Sequence, residues 1–302
     1  ARSHLKHTAF IELNPRAIVA QYYQDDTYQR YQGFRLLAID SSKLRRPDSR
    51  EIRDDFGTLN TPIGKDNHIR GIHAHGLASV CYDVLNRIVI DSQLGGARAY
   101  EVDLAVRHLP ATQANDLLLL DRGYASYRWL ATCIQPQRQF IVRGSAGAFQ
   151  TARQMLEGLG ADHQVINLTP SLGQRLTIIA LGLPSVLTVR FVRVRLPNGE
   201  LEVLVTNLLS ETLFPTSSFS RLYHLRWGVE TLYGVVKTRL QLENFSGLTA
   251  ESVRPDFFAT IFLTHLESVL TEEATTKLKK KTAKNRHPQP VNQAVSFNAI
   301  KN

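Results

Sequence analysis

The chain changes its hydrophobic period several times, and each change marks a new element. Residues 34–39 (FRLLAI) form a short apolar run that stops at Asp40, as a buried central strand would. The stretch 41–70 is polar and basic. It carries Lys43, Arg45, Arg46, Arg50, Arg53, Lys65 and Arg70 among Pro47, Gly57, Pro62 and Gly64, and reads mainly as loop. Two strand-like runs, 72–82 and 87–94, joined through 83–86, predict an antiparallel hairpin. Residues 100–108 read as helix. Residues 116–120 (DLLLL) then form a second buried strand ending at Asp121, and 125–134 the helix after it.

From Gln139 the pattern turns to β for about 70 residues, as alternating runs predict. Residues 140–143, 165–168, 176–181 and 187–196 are strand candidates, and 202–208 pairs with the last of them across Pro197, Asn198 and Gly199, which makes an inserted sheet. Residues 218–242 read as a long helix, followed by another near 256–270. A basic run (Lys277, Lys279, Lys280, Lys281, Lys284, Arg286) leads into a polar tail. A solvated helix end explains that run as simply as a DNA contact does. No internal repeat is visible.

At 302 residues with 43% hydrophobic content the chain can bury a substantial core. Lys and Arg outnumber Asp and Glu by 36 to 27, a net charge of +9, which points to an anionic partner such as nucleic acid. Cys81 and Cys133 sit in apolar stretches at no metal-ligand spacing and read as buried, reduced thiols, which suits the cytoplasm. No run of about 18 apolar residues and no leader pattern appears, so no membrane span or signal peptide is expected. His73 and His75 share one strand face with His68 nearby, a spacing able to bind zinc, but no further ligand lies at a suitable distance.

The long helix carries the informative chemistry. At 100° per residue Tyr223, Arg226, Glu230 and Lys237 fall within an arc of roughly 60°, beside an apolar stripe of Leu222, Leu225, Val229, Leu232 and Val236. Taken alone, Arg226 and Glu230 make an ordinary i, i+4 ion pair. Trp227 lies beyond Tyr223 on the same wheel and suits partial packing or a stacked base equally.

The two aspartates change the balance. Singly, each is better explained as a cap or turn residue. Side by side at the ends of two buried strands, they repel and call for a cation. With Glu230 they make three hard oxygen donors, which suit Mg²⁺ or Mn²⁺. A pair of such ions about 3.5–4 Å apart serves phosphodiester displacement.

Together, Ala38-Ile39-Asp40-Ser41-Ser42, Leu120-Asp121-Arg122-Gly123-Tyr124 and the spacing YxxRxxxExxxxxxK through Tyr223, Arg226, Glu230 and Lys237 resemble the DDE transposases of the insertion sequence 4 family, over about residues 34–300. The resemblance implies an α/β fold: a ribonuclease H-like mixed sheet with flanking helices, interrupted by a β-rich insertion. The division it suggests is an N-terminal remnant or linker (1–33), a core of 34–138 with 216–275, the insertion (139–215) and a basic tail (276–302). It implies Mg²⁺-dependent cleavage at transposon ends and 3′-hydroxyl attack on target DNA, with two ions held by Asp40, Asp121 and Glu230. Tyr223, Arg226 and Lys237 become DNA contacts, with Arg122 a further phosphate candidate. The expected partners are double-stranded DNA, both transposon ends and target, and a second copy of the chain in a homodimer. Only 39 residues precede Asp40, where relatives carry an N-terminal DNA-binding domain, and relatives also continue past the position of Asn302. A truncated, catalytically silent remnant that inhibits a full-length transposase is therefore the alternative, and a general two-metal nuclease a third reading. Trp129 and Trp227 lie outside the insertion, so stacking of a flipped base in a hairpin intermediate would fall to another aromatic there, such as Phe191.

Overall fold

The computed structural model describes residues 6–25, 27–63, 69–196, 198–282 and 291–301. Gly64, Lys65, His68, Pro197, Lys284 and Arg286 lie outside the described residues, as do the side chains of Pro62, Arg70 and Lys279. The chain enters through α1 (His7–Leu13), a π-helical turn (Asn14–Val19) and α2 (Ala20–Tyr22). Pro15, which has no N–H to donate, sits at the start of that turn, where a helix tolerates an altered ladder. There follow β1 (Arg35–Arg45), α3 (Arg50–Phe56), β2 (Thr58–Ile63), β3 (Ile69–Asp83), β4 (Ile88–Gly96), α4 (Glu101–His108), β5 (Asp116–Leu120) and α5 (Tyr127–Ile134). Next come β6 (Gln139–Arg143), α6 (Gln150–Leu156), β7 (His163–Leu168), α7 (Leu172–Ala180), β8 (Leu187–Arg195) and β9 (Leu201–Thr206). The chain ends in α8 (Phe219–His224), α9 (Gly228–Gly234), α10 (Ala250–Lys281) and α11 (Gln293–Lys301). Among the described residues no helix is long and apolar enough to cross a membrane.

One sheet organises these elements. Its order is β2-β3-β1-β5-β6-β9-β8-β7, with β4 on the other side of β3. β1, β5 and β6 run parallel, whereas β3 and β4 form an antiparallel meander on β1. This is the ribonuclease H-like arrangement that the resemblance implies. The register of β1 against β5 is set at its first pair, where Arg35 donates from Nε and Nη2 to the two carboxylate oxygens of Asp116 at 2.6 and 2.7 Å, both side chains buried. A forked, charge-assisted contact of this kind tolerates no slip by one residue.

Strand alternation divides the core into two layers. Leu37, Ile39, Leu118 and Leu120 face Trp129, Leu130 and Val102 of the helices α5 and α4. Leu36, Ala38, Leu117 and Leu119 face Phe219, Leu222, Val229 and Phe257 of α8, α9 and α10. Because both faces are covered, these strands read as continuous apolar runs. Both cysteines are buried within the first layer.

The structure corrects several boundaries. β1 does not stop at Asp40. It runs five residues further, since it keeps its ladder with β3 from Ser41↔Ser79 to Arg45↔His75 after β5 has ended at Leu120. The apolar run ends there because the covering layer ends, not because the strand does. The stretch read mainly as loop also holds α3 and β2; α3 buries only Ile52 and Phe56, too few positions to register as a helical period. Residues 176–181, expected as strand, belong to α7 apart from its cap, Leu181. The run is apolar, but Leu172, Leu176 and Ile179 face solvent and only Ile178 is buried, so its pattern marked no core-facing stripe.

Two longer segments also differ from expectation. Residues 140–143, grouped with the insertion, form β6 beside β5 in parallel, and β9, β8 and β7 extend the same sheet instead of making a separate one. The helix expected over 218–242 is broken by a 3₁₀ turn (Leu225–Trp227) and a π turn (Val235–Arg239). The last long helix starts earlier than expected, at Ala250, where Thr249 and Ser252 form a reciprocal capping box.

Candidate active site

Register places the two aspartates together. Ile39↔Leu120 is the last pair of the parallel ladder, so Asp40 and Asp121 are the next step on each strand. Asp40 shares parity with Leu36 and Ala38, and Asp121 with Leu117 and Leu119, so both carboxylates project into the layer covered by α8 and α9. Glu230 lies in the first turn of α9 on that layer. Burial pushes the Asp40 carboxyl up to about 6, the Ser41 N–H and Arg226 oppose the shift, and the charges of Glu230 and Asp121 add to it. Asp40 therefore senses both of the other carboxylates.

The helix bearing Glu230 is tied to both strands through their backbones. The Tyr223 hydroxyl donates to the carbonyl of Leu120, the residue before Asp121, at 3.1 Å. The Tyr233 hydroxyl donates to the carbonyls of Asp40 and Ala78, each at 3.1 Å. The Lys237 ammonium donates to the carbonyl of Lys43 at 2.7 Å. Tyr223 and Lys237 were expected as DNA contacts; Tyr223 is instead buried with its hydroxyl engaged, while Lys237 stays partly exposed with further hydrogens to donate. Tyr233, one helical turn past Glu230, belongs to neither the apolar stripe nor the polar face named from the sequence; it falls between the two.

Arg226 is buried, and its Nη2 donates to Glu230 Oε1 at 2.7 Å, the i, i+4 pair expected of an ordinary helix. Its guanidinium also lies 5.7 Å from the Tyr223 ring and 5.5 Å from the Trp227 ring, and its Nε has no acceptor. Trp227 is 53% exposed beside it. Arg122, directly after Asp121, is exposed. Asp121 Oδ1 accepts no hydrogen bond; Arg143 Nη1 stands 3.8 Å away, an ion pair too long to be one, and Arg143 Nε is held by Glu202 at 3.1 Å. Arg143 was not foreseen, because β6 had been assigned to the insertion.

Among the described residues no three His, Cys, Asp or Glu side chains form a ready metal cage, the Glu230 carboxylate being turned to Arg226. His73 packs against Arg45, with its Nδ1 3.3 Å from Arg45 Nη2, and His75 Nδ1 lies 3.0 Å from the His73 carbonyl. Phe191, the residue considered for base stacking, is wholly buried and packs edge-on to Phe149 with ring centres 5.7 Å apart, so it belongs to the core. Lys277 pairs with Glu273 on α10, as a solvated helix face does.

Comparison with known proteins bears on the family and the fold. The chain matches the family described as Transposase DDE domain over residues 31–265. It is 26% identical over 249 residues to the transposase InsG for insertion sequence element IS4 of Escherichia coli (strain K12), an alignment covering 78% of this chain and 51% of that protein. Its fold is similar to that of the piggyBac transposase in a cryo-EM structure of the synaptic complex with hairpin DNA, at a TM-score of 0.51 and 9% identity over 88% of this chain and 51% of that one. The chain thus spans about half the length of each of these two proteins. With the in-register aspartates and a match over most of its length, the chain belongs to the DDE transposase family, of the insertion sequence 4 type.

Proposed function

We propose that the protein is a DNA transposase whose centre is Asp40, Asp121 and Glu230, that it cuts strands at the ends of an insertion sequence with Mg²⁺, and that it joins the freed 3′-hydroxyl to target DNA. The observation that carries this reading is the step after Ile39↔Leu120, where two carboxylates emerge side by side under the helix that bears Glu230. Their surroundings fit a divalent cation. Asp121 Oδ1 lacks a hydrogen-bond donor and the Asp40 carboxyl is destabilised by burial and by two neighbouring charges, and a hard cation would relieve both. Asp40, Asp121 and Glu230 would hold two Mg²⁺ ions, with Mn²⁺ as a substitute. When bound, such a pair supplies an activated water or 3′-hydroxyl and a stabilised leaving oxygen.

The remaining roles belong to the chain itself. Tyr223 and Tyr233 hold the helix of Glu230 against the strands of both aspartates, which keeps the three groups within reach of one another. Arg226 offers a forked donor, and a DNA phosphate arriving there competes with Glu230 and frees that carboxylate toward the aspartates. Lys237 and Arg122 add positive charge on either side, and the exposed Trp227 ring gives a base a surface to stack on. The substrates are double-stranded element ends and target DNA, handled in the bacterial cytoplasm by a homodimer.

The test is a strand-cleavage assay on linear DNA carrying the element's own ends. With Mg²⁺, cuts at those ends are expected, and Glu230→Gln abolishes them. The reading is lost if no cut depends on Glu230. Equal cutting of random DNA would leave a general nuclease in its place.

A further inference from the structure

The face of the sheet opposite the carboxylates carries a polar chain inside an otherwise apolar layer. His108, the last residue of α4, is wholly buried; its Nδ1 lies 2.6 Å from Asp91 Oδ2 and its Nε2 3.0 Å from Ser79 Oγ. Ser79 is equally buried, and its hydroxyl donates to the backbone carbonyl of Asp40 at 3.3 Å. Asp91, one quarter exposed, is steadied by Gln93, whose Nε2 donates to the same Oδ2 at 2.7 Å. The ladder between β3 and β4 slips beside Asp91, passing from Cys81↔Asp91 to Tyr82↔Val89 and leaving Ile90 unpaired. Bulges of this kind re-aim side chains beside functional sites.

Counting hydrogens gives the chain a direction. The hydroxyl of Ser79 donates to the Asp40 carbonyl, and its oxygen meets His108 Nε2 on the other side. A carboxylate only accepts, so Nδ1 donates to Asp91. The His108 ring is thus held between the Asp91 carboxylate and the Ser79 hydroxyl at the last turn of α4. The order Asp, His, Ser matches a hydrolytic triad, but a buried hydroxyl directed at a backbone carbonyl cannot reach a substrate. What it can do is hold that carbonyl. Tyr233 donates to the same oxygen from the other layer, so Asp40 is gripped from both sides of the sheet.

We infer that Asp91, His108 and Ser79 form a positioning relay that fixes the backbone of Asp40 and so aims its carboxylate at the layer of α9. The inference rests on the reading of Asp40 as a metal ligand. Its test is a Mn²⁺ titration of the folded protein, followed by electron paramagnetic resonance, with thermal unfolding measured on each sample. Ser79→Ala and Asp91→Asn are expected to raise the half-saturating Mn²⁺ concentration about tenfold, as removal of a partner behind a metal ligand does. A Ser79→Ala protein that melts normally and binds Mn²⁺ as tightly as the unaltered chain overturns the relay. Should Ser79→Ala fail to fold, Asp91→Asn, at a partly exposed position, decides in the same way. Asp40→Asn separates the two readings. If it too leaves Mn²⁺ binding unchanged, the assignment of Asp40 as ligand falls and the relay with it; if it alone weakens binding, only the relay is lost.

Discussion

The two ends of the sheet are built to different rules. Around β1 and β5 both faces are covered, the strand interiors are apolar, and the charges buried at their first pair, Arg35 and Asp116, are matched to each other. At the far end β7 alternates between exposed and half-buried residues, and α7 lies over the sheet with Ile178 as its one buried side chain while Leu172, Leu176 and Ile179 stand in solvent. Apolar sequence therefore means different things in the two places. In the first it reports a covered strand, and in the second a lightly anchored helix.

The contrast can be broken at its strongest point. Asp116→Ala leaves the Arg35 guanidinium buried without its partner, and a loss of about 3–5 kcal/mol is expected in urea unfolding. A loss within the range of a surface mutation would mean that this end opens to water after all.

A second test uses pH. His265 on α10 is buried; its Nε2 accepts from the Val89 N–H at 2.7 Å and its Nδ1 meets Asn14 Oδ1, which joins α10, β4 and the entering π turn. Burial pushes its imidazole down from 6.5 to about 3. The unfolded chain takes up a proton near 6.5 and the folded chain does not until about 3, so the folded state loses ground as pH falls through that window. His265→Gln removes this contribution. Its deficit relative to the unaltered protein should shrink between pH 7 and pH 4, and a constant deficit would show that His265 titrates in the fold as it does in the unfolded chain.

The smallest expected effect lies at the other end. Leu176→Gln should change stability by no more than about 0.5 kcal/mol, as an exposed position does. A cost several times larger would show that something covers α7 in solution.

How much of the site was legible follows the same divide. Asp121 was readable because DLLLL is a short buried strand with a carboxylate directly after it. Asp40 was readable as a candidate, but its strand continues past it under β3, and an uncovered strand carries no apolar run to announce itself. Tyr223 and Lys237 lay on the predicted helix face, yet their hydrogen bonds run to backbone carbonyls of other elements. No side-chain pattern encodes such a partner. Ser79, His108 and Asp91 are three polar residues separated by 12 to 29 positions, at no spacing a local motif would use.

Local chemistry by itself determined the covered strands, the helix stripe and the identities of the carboxylates, because burial period and residue type are properties of neighbours along the chain. Only the tertiary structure decided which strand ends lie side by side, what Tyr223, Tyr233 and Ser79 hold, and that the insertion continues the core sheet. Those depend on register and on long-range hydrogen bonds to backbone, and a backbone carbonyl looks the same at every position in a sequence.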